Sequence, residues 1–303
     1  MPHLPMIMLL CAMPLAACVS EPGRVDEAAE QRAANNPQAL ARIAEAAVQA
    51  GDVQSATTFL DRAAKLAPTD PQLQIRYAHS LAGAGQADEG VRVLRQAQAR
   101  APDDPAVSLA LGKLLVSRHQ ADVAAGVFQR GLASHPADTA LLVALGVALD
   151  LAHNQAEAQA AYRRALAVNP NHAAARNDLA LSLALSGEAA AAIQELNSLR
   201  ADLVGRGAEP NQIATVDGNL ALAYGMAGDL QRAVQAGGAA LKPADLAQNT
   251  RIYSALAGAP PNGSGAGTTG APGSGAKDVS GLPAPAGADP SKPAAAGMAP
   301  SPD

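Results

Sequence analysis

The chain carries its own ruler. Pro68, Pro102, Pro136 and Pro170 lie 34 residues apart, as do Pro37, Pro71 and Pro105, each 31 residues before a member of the first set. A fixed period of this length means one structural unit written several times, which restricts the fold to serial stacking of that unit. Placing the first proline series at position 32 gives frames 37–70, 71–104, 105–138, 139–172 and 173–206. After a seven-residue insertion, Gly207 to Ile213, a sixth frame fits 214–247.

Positions that played no part in setting the register obey it too. Position 8 reads Ala44, Ala78, Gly112, Gly146, Ala180, Ala221, and position 20 reads Ala56, Gly90, Ala124, Ala158, Ala192, Ala233. Large residues recur at position 7 (Ile43, Tyr77, Leu111, Leu145, Leu179, Leu220) and at position 24 (Leu60, Leu94, Phe128, Tyr162, Leu196), where Gly237 breaks the last frame. Positions 7, 8 and 11 fall on one face of a helix, and positions 20, 24 and 27 on one face of a second. Small residues at 8 and 20 allow close helix approach, and large ones fill the remaining gap. Gly51, Gly85, Gly187 and Gly228 stand at position 15, between the two helices, where a helix end often needs positive φ. His119 and His153 take that place in the third and fourth frames. Proline at position 32 stops the second helix. Proline at position 1 starts the next, where its missing N–H costs nothing.

Composition agrees. The 303 residues include 75 Ala and 27 Gly, no Trp and only 2% aromatics. Strands favour aromatic and β-branched residues, so an all-β fold is disfavoured. The expected fold is all-α: a stack of about six helix-turn-helix units forming an α-solenoid with a concave and a convex side. The small-large pattern at positions 7, 8, 11, 20, 24 and 32 resembles the tetratricopeptide repeat, though that repeat's usual Trp at position 4 is absent; Leu40 and Leu142 come nearest. Residues 18–36 would tether and cap the first repeat. A helix over 248–257, with Leu246 just before it and Ile252, Tyr253 and Leu256 within it, would cap the last.

The two ends differ from the middle. Residues 1–17 contain no Asp, Glu, Lys or Arg, and Met6–Leu15 is an apolar run too short to span a bilayer. Such a run reads as the core of a secretory signal peptide. Leu15-Ala16-Ala17-Cys18 follows and resembles the bacterial lipobox, which implies diacylglycerol on the Cys18 thiol. The signal departs from its pattern in offering only His3 where a Lys or Arg is usual. Val19, in place of the Asp that retains such proteins at the inner membrane, implies the periplasmic face of the bacterial outer membrane. At the other end, residues 258–303 hold 10 Gly, 9 Pro and 11 Ala, a composition that cannot offset its ordering entropy and is expected to be a disordered tail.

Motifs for chemistry are missing. The sequence after Cys18 has His79, His119, His135, His153 and His172, with no H-x-x-E-H and no pair at i, i+4. There is no G-x-S-x-G, no phosphate-binding loop and no dinucleotide fingerprint. Asp103-Asp104 falls between frames, as a helix start would. Cys11 and Cys18 cannot form a disulfide framework. The net charge is −5 with no basic run, so nucleic acid is not an expected partner. An enzyme is not expected, nor a cofactor or a metal. What remains is a surface. Positions 2, 5, 9 and 12 of the first helix should face the concave groove, which gives Leu109, Lys113, Val116, Val143, Val147, Asp150, Asn177 and Leu181 as protein-binding candidates. Such a groove suits a helix or an extended peptide.

The last third points further. Arg176-Asn177-Asp178-Leu179-Ala180-Leu181-Ser182-Leu183-Ala184-Leu185-Ser186-Gly187, then Asn219 to Asp229, then Ala244-Asp245-Leu246 and Asn249 to Leu256, resemble the TadD-type tetratricopeptide lipoproteins of the Flp (tight adherence) type IVb pilus assembly system. The resemblance implies a scaffold that engages an outer-membrane secretin or another pilus assembly protein and meets the membrane through its lipid anchor. The long tail is not a family feature. A different scaffold, a lipoprotein adaptor for cell-wall hydrolases or periplasmic proteases, is the alternative.

Overall fold

The computed structural model describes residues 35–240 and Ile252. The expected signal peptide, Cys18, residues 18–34 of the tether, the rest of the expected capping helix and the tail 258–303 lie outside the described residues. Within them the chain forms twelve helices in six pairs: α1 (Pro37–Gln49) with α2 (Val53–Leu66), α3 (Pro71–Gly83) with α4 (Ala87–Arg100), α5 (Pro105–Ser117) with α6 (Ala121–Ser134), α7 (Thr139–Leu151) with α8 (Gln155–Val168), α9 (Ala173–Leu185) with α10 (Ala189–Gly205), and α11 (Pro210–Met226) with α12 (Leu230–Ala240). This is the all-α solenoid that the 34-residue period requires. No helix among the described residues is long and apolar enough to cross a membrane.

Each boundary has a local cause. Asn36, Asp70 and Asp104 precede the prolines that open α1, α3 and α5, and their side chains accept from two backbone N–H groups each, at 2.8–3.2 Å. Asp138 Oδ1 accepts from Leu141 N at 2.9 Å, and His172 Nδ1 from Ala175 N at 3.1 Å, so a capping acceptor holds the first helix of five pairs. The turn inside every pair is closed by one repeated bond from the N–H of position 16 to the C=O of position 11, as in Asp52–Ala47, Gln120–Leu115 and Asp229–Tyr224 at 2.9 Å. That bond needs a left-handed residue at position 15. Gly supplies it in four turns, and His119 (φ 57°) and His153 (φ 61°) adopt it in the other two.

The insertion after the fifth frame does not lengthen the loop. It lengthens α10 and α11 to 17 residues each, against 13 or 14 in the preceding helices. The linker between them, 206–209, keeps the same four-residue length as 67–70 or 101–104. Gly207 (φ 64°) ends α10, and Ala208 N donates to Leu203 O across it. Leu199 and Leu203 continue the buried face of α10, which explains why extra helix, not extra loop, is formed: both leucines leave water.

Packing within a pair follows the small-large code, with a refinement. A Cβ built on Gly112 would lie 2.1 Å from Phe128 Cε1, and one on Gly146 would lie 2.4 Å from Tyr162 Cε1. Where position 24 is aromatic, position 8 is Gly; where position 24 is Leu, as in Leu60, Leu94 and Leu196, position 8 is Ala. Phe128 and Tyr162 are among the largest fully buried side chains, so these two rings plug the third and fourth pairs. One continuous core runs from Ile75 to Ala223, while the first pair has its own smaller cluster around Leu40, Ala44, Leu60 and Leu73, and Tyr77 packs against both.

Position 4, left without its Trp, is buried in every frame and often polar. Gln74 donates to Ala64 O at 3.0 Å. Ser108 is fully buried with no hydrogen-bond partner, its Cβ and Oγ against Gly131. Arg176 donates to Glu195, to Asp202 at 2.6 Å and to Ser198 at 3.0 Å, all on α10. Asp217 on α11 accepts from Arg200 on α10. Ion pairs thus add to the hydrocarbon core within the fifth pair, through Arg176, and between the last two pairs, through Arg200 and Asp217.

Candidate protein-binding groove

The first helices of successive pairs pack on one another from α3 through α11, whereas the second helices make no pairing of comparable extent. The first helices therefore converge on the inner side of the stack, and their accessible faces form its groove. In α5 that face is Ala106, Leu109, Lys113, Val116 and Ser117; in α7 it is Ala140, Val143, Ala144, Val147, Asp150 and Leu151. In α9 it is Ala174, Asn177, Asp178, Leu181 and Leu185.

All eight sequence-derived candidates lie on this surface. Lys113 is exposed; Leu109, Val116, Val143, Val147, Asp150, Asn177 and Leu181 are half-buried. Leu109, Val116, Val143 and Val147 also pack against the core, so they serve the fold and line the groove together. The expected row at position 12 closes beyond Asp150: Ala184 is 1% exposed and Gly225 is buried. The accessible row passes instead to position 13, where Leu151 and Leu185 are 55% and 43% exposed.

Position 6 was absent from the sequence-derived set, and it carries part of the groove's charge. Its occupants are Arg42, Arg76, Ala110, Ala144, Asp178 and Asn219. Helical periodicity places 6 on the stripe of 2, 9 and 13, which is the signal that could have found it. Two polar links cross the groove floor. Ser182 Oγ on α9 donates to Asp150 Oδ1 on α7 at 2.7 Å, and Tyr162 Oη donates to Asp150 Oδ2 at 3.0 Å. Asn219 Nδ2 on α11 donates to Asn177 Oδ1 on α9 at 2.8 Å, and Asn177 Nδ2 to Asp178 Oδ1 at 3.2 Å.

Burial sets the electrostatics here. It raises the Asp150 carboxyl above its ordinary range, against the lowering effect of the Ser182 and Tyr162 hydrogen bonds. It raises Asp178 as well, with Asn177 opposing. The Tyr162 phenol is pushed far up by burial first and by the Asp150 charge second. At the other end of the groove, loss of water and then the nearby Lys113 ammonium lower His79. These are groups held by a scaffold. Among the described residues no three His, Cys, Asp or Glu side chains gather as a metal cluster.

A second cleft lies on the outer side, between α2 and α4 over α3. It encloses about 410 Å³ and is lined by Asp61, Lys65, Tyr77, Arg92 and Arg100 among others. Lys65 pairs with Asp61 at 2.6 Å, and Arg92 with Glu89, so most of its charge is satisfied internally. Burial and then Asp61 push the Tyr77 phenol up to about 12.

Stacked helix pairs closed by a repeated left-handed turn, with a groove along their first helices and a main core running from the second pair to the last, define a helical-repeat scaffold of the α-solenoid class. Two models of the tetratricopeptide repeat match the sequence, over residues 24–161 and 152–203. The chain belongs to the tetratricopeptide-repeat proteins, a family of protein–protein interaction scaffolds. Solved structures agree in fold. A tetratricopeptide repeat protein from Parabacteroides merdae is 18% identical and covers 73% of this chain and 90% of its own, with a TM-score of 0.58. PilW, a widely conserved type IV pilus biogenesis factor, is 19% identical over 73% of this chain and 96% of its own, at 0.55. PilF of Pseudomonas aeruginosa is 18% identical over 74% and 94%, at 0.53. No curated protein matches the sequence.

Proposed function

We propose that this chain is a lipid-anchored periplasmic adaptor of Flp/Tad pilus assembly, held at the outer membrane through Cys18. Its groove engages the secretin or another protein of the pilus machine and assists that protein's placement. The observation that carries the scaffold role is the accessible stripe along α5, α7 and α9, apolar over Leu109, Val143 and Val147 and polar at its margins. The pilus assignment rests on the sequence resemblance over 176–187, 219–229 and 244–256. The similarity to PilW and PilF is a similarity of fold and is compatible with that assignment without naming a partner.

Two measurements test the reading. Membrane fractionation of Cys18→Ala is expected to move the repeats into the soluble periplasm or leave an uncleaved precursor; an unchanged outer-membrane pool refutes the anchor. Site-specific crosslinking from Val143 in intact envelopes is expected to recover a secretin or another pilus component. Recovery of murein hydrolases or proteases alone would favour the cell-wall adaptor.

A further inference from the structure

The groove is electrically two-sided. On α1, α3 and α5 its accessible stripe carries Arg42, Arg76, His79 and Lys113 against a single carboxylate, Glu45. Glu45 meets Arg76 at 3.4 Å between two well-exposed side chains, a contact of little energetic weight. On α7, α9 and α11 the stripe carries Asp150 and Asp178 and no Lys, Arg or His. Arg176, the cation of α9, faces inward onto Glu195 and Asp202. Among the described residues, Lys113, Asp150 and Asp178 form no ion pair. Leu109 and Val116 on α5, Val143 and Val147 on α7 and Leu181 on α9 run alongside these charges.

Half-buried carboxylates without a Lys or Arg partner are held at an electrostatic cost that a cation brought by a ligand would relieve. An exposed ammonium across an apolar strip from them selects the opposite charge. We propose that the groove binds an extended segment of a partner protein that is itself two-sided: an acidic side chain against Lys113 and Arg76, apolar side chains over Val143 and Val147, and a Lys or Arg against Asp150 and Asp178. Packed helices stand about 8–10 Å apart. One to two repeats therefore separate the charged ends by roughly 10–20 Å, which an extended chain covers in about three to six residues at ~3.3 Å each. The proposal rests on the groove being the binding surface and adds the chemistry of what it takes.

The test selects random twelve-residue peptides by display on the purified protein, then measures their affinity for wild type, Lys113→Glu, Asp178→Asn and Leu151→Arg. Lys113 and Leu151 are exposed, so their variants are expected to fold normally, and thermal melts of all three variants check this. Enriched peptides are expected to carry one acidic and one basic residue three to six apart around apolar residues. Their binding should weaken about tenfold in Lys113→Glu and in Asp178→Asn. Exchanging the peptide's acid for Lys should restore binding to Lys113→Glu. Peptides without paired charges, bound in a way that only Leu151→Arg disturbs, would overturn the two-sided chemistry and leave the groove standing. Peptides indifferent to all three variants would overturn the groove reading as well. A photo-crosslinker at Val143 in the full chain gives the remaining outcomes. Capture of residues 241–303, or of a second copy, would assign the groove to the chain itself and overturn the proposal.

Discussion

The third and fourth repeats and the fifth and sixth repeats share one helix-pair pattern and are held together differently. In the third and fourth, a ring at position 24 lies against a glycine at position 8, and position 4 is Ser108 or Leu142. In the fifth, Leu196 faces Ala180, and the polar work falls to Arg176, whose side chain is 11% exposed between Glu195 and Asp202. Arg200 and Asp217 repeat the device across the α10–α11 joint, with Asp217 at 6%. A solenoid needs each pair to bind its neighbour, but it does not need each pair to use the same force. Hydrocarbon contact is nearly indifferent to salt, whereas partly exposed ion pairs are screened. The two regions should therefore separate under conditions that leave the fold otherwise alone.

The largest effects should come from the ring-on-glycine pairs. Phe128→Ala is expected to cost about 4 kcal/mol, the usual range for a fully buried aromatic. Gly112→Ala is expected to cost about 1–3 kcal/mol despite alanine's better helix propensity, because its Cβ would overlap the Phe128 ring. Adding Phe128→Leu, the partner that alanine has in other frames, should recover most of that loss. Urea unfolding of the two singles and the double forms a cycle with a coupling energy of about 1–3 kcal/mol. Additive losses would mean that the pairing of Gly with an aromatic, and Ala with Leu, is incidental.

Arg176→Met should have a smaller effect, about 1–2 kcal/mol, since Glu195 and Asp202 are partly solvated and survive alone. Its signature is salt. Hydrogen exchange in α9 to α11 should quicken as NaCl rises in wild type, and in Arg176→Met that dependence should fall in α9 and α10 and persist at the α10–α11 joint, where Arg200 still meets Asp217. Exchange in α5 to α8 should change little in either. Equal salt dependence in both regions would erase the distinction.

The fold was legible because its determinants recur. Ala or Gly at positions 8 and 20, and the turn at position 15, each appear six times, and repetition makes a local rule visible without any structure. What was not legible occurs once. Arg176 reads as an ordinary surface arginine until α10 is seen to bring Glu195, Ser198 and Asp202 to one side of it. The seven-residue insertion has no counterpart in the other frames, so the repeat says nothing of its form; the burial of Leu203 shows why helix is added there. The groove was half legible. Leu109, Val116, Val143, Val147 and Leu181 follow from positions 5, 9 and 12, but Asp178 and Arg76 sit at position 6, and the hydrogen bond that ties Ser182 to Asp150 joins residues 32 apart in sequence.

The smallest expected effect reverses the sense of the comparison. The well-cored third and fourth repeats turn on His119 and His153 in left-handed backbone, whereas the fifth and sixth turn on Gly187 and Gly228. A residue with a Cβ loses about 1–2 kcal/mol in that region, and glycine loses about 0.5–1 kcal/mol through its extra freedom in the unfolded chain. His119→Gly and His153→Gly should each stabilise by about 0.5 kcal/mol, a difference of those two estimates. Both side chains are exposed, and no hydrogen bond from either ring is found, so nothing else is removed. The gain should appear as a shift of the urea midpoint without a change of slope. A loss on substitution would show that these imidazoles hold contacts which outweigh backbone strain, and that the turn at position 15 was selected for more than its φ angle.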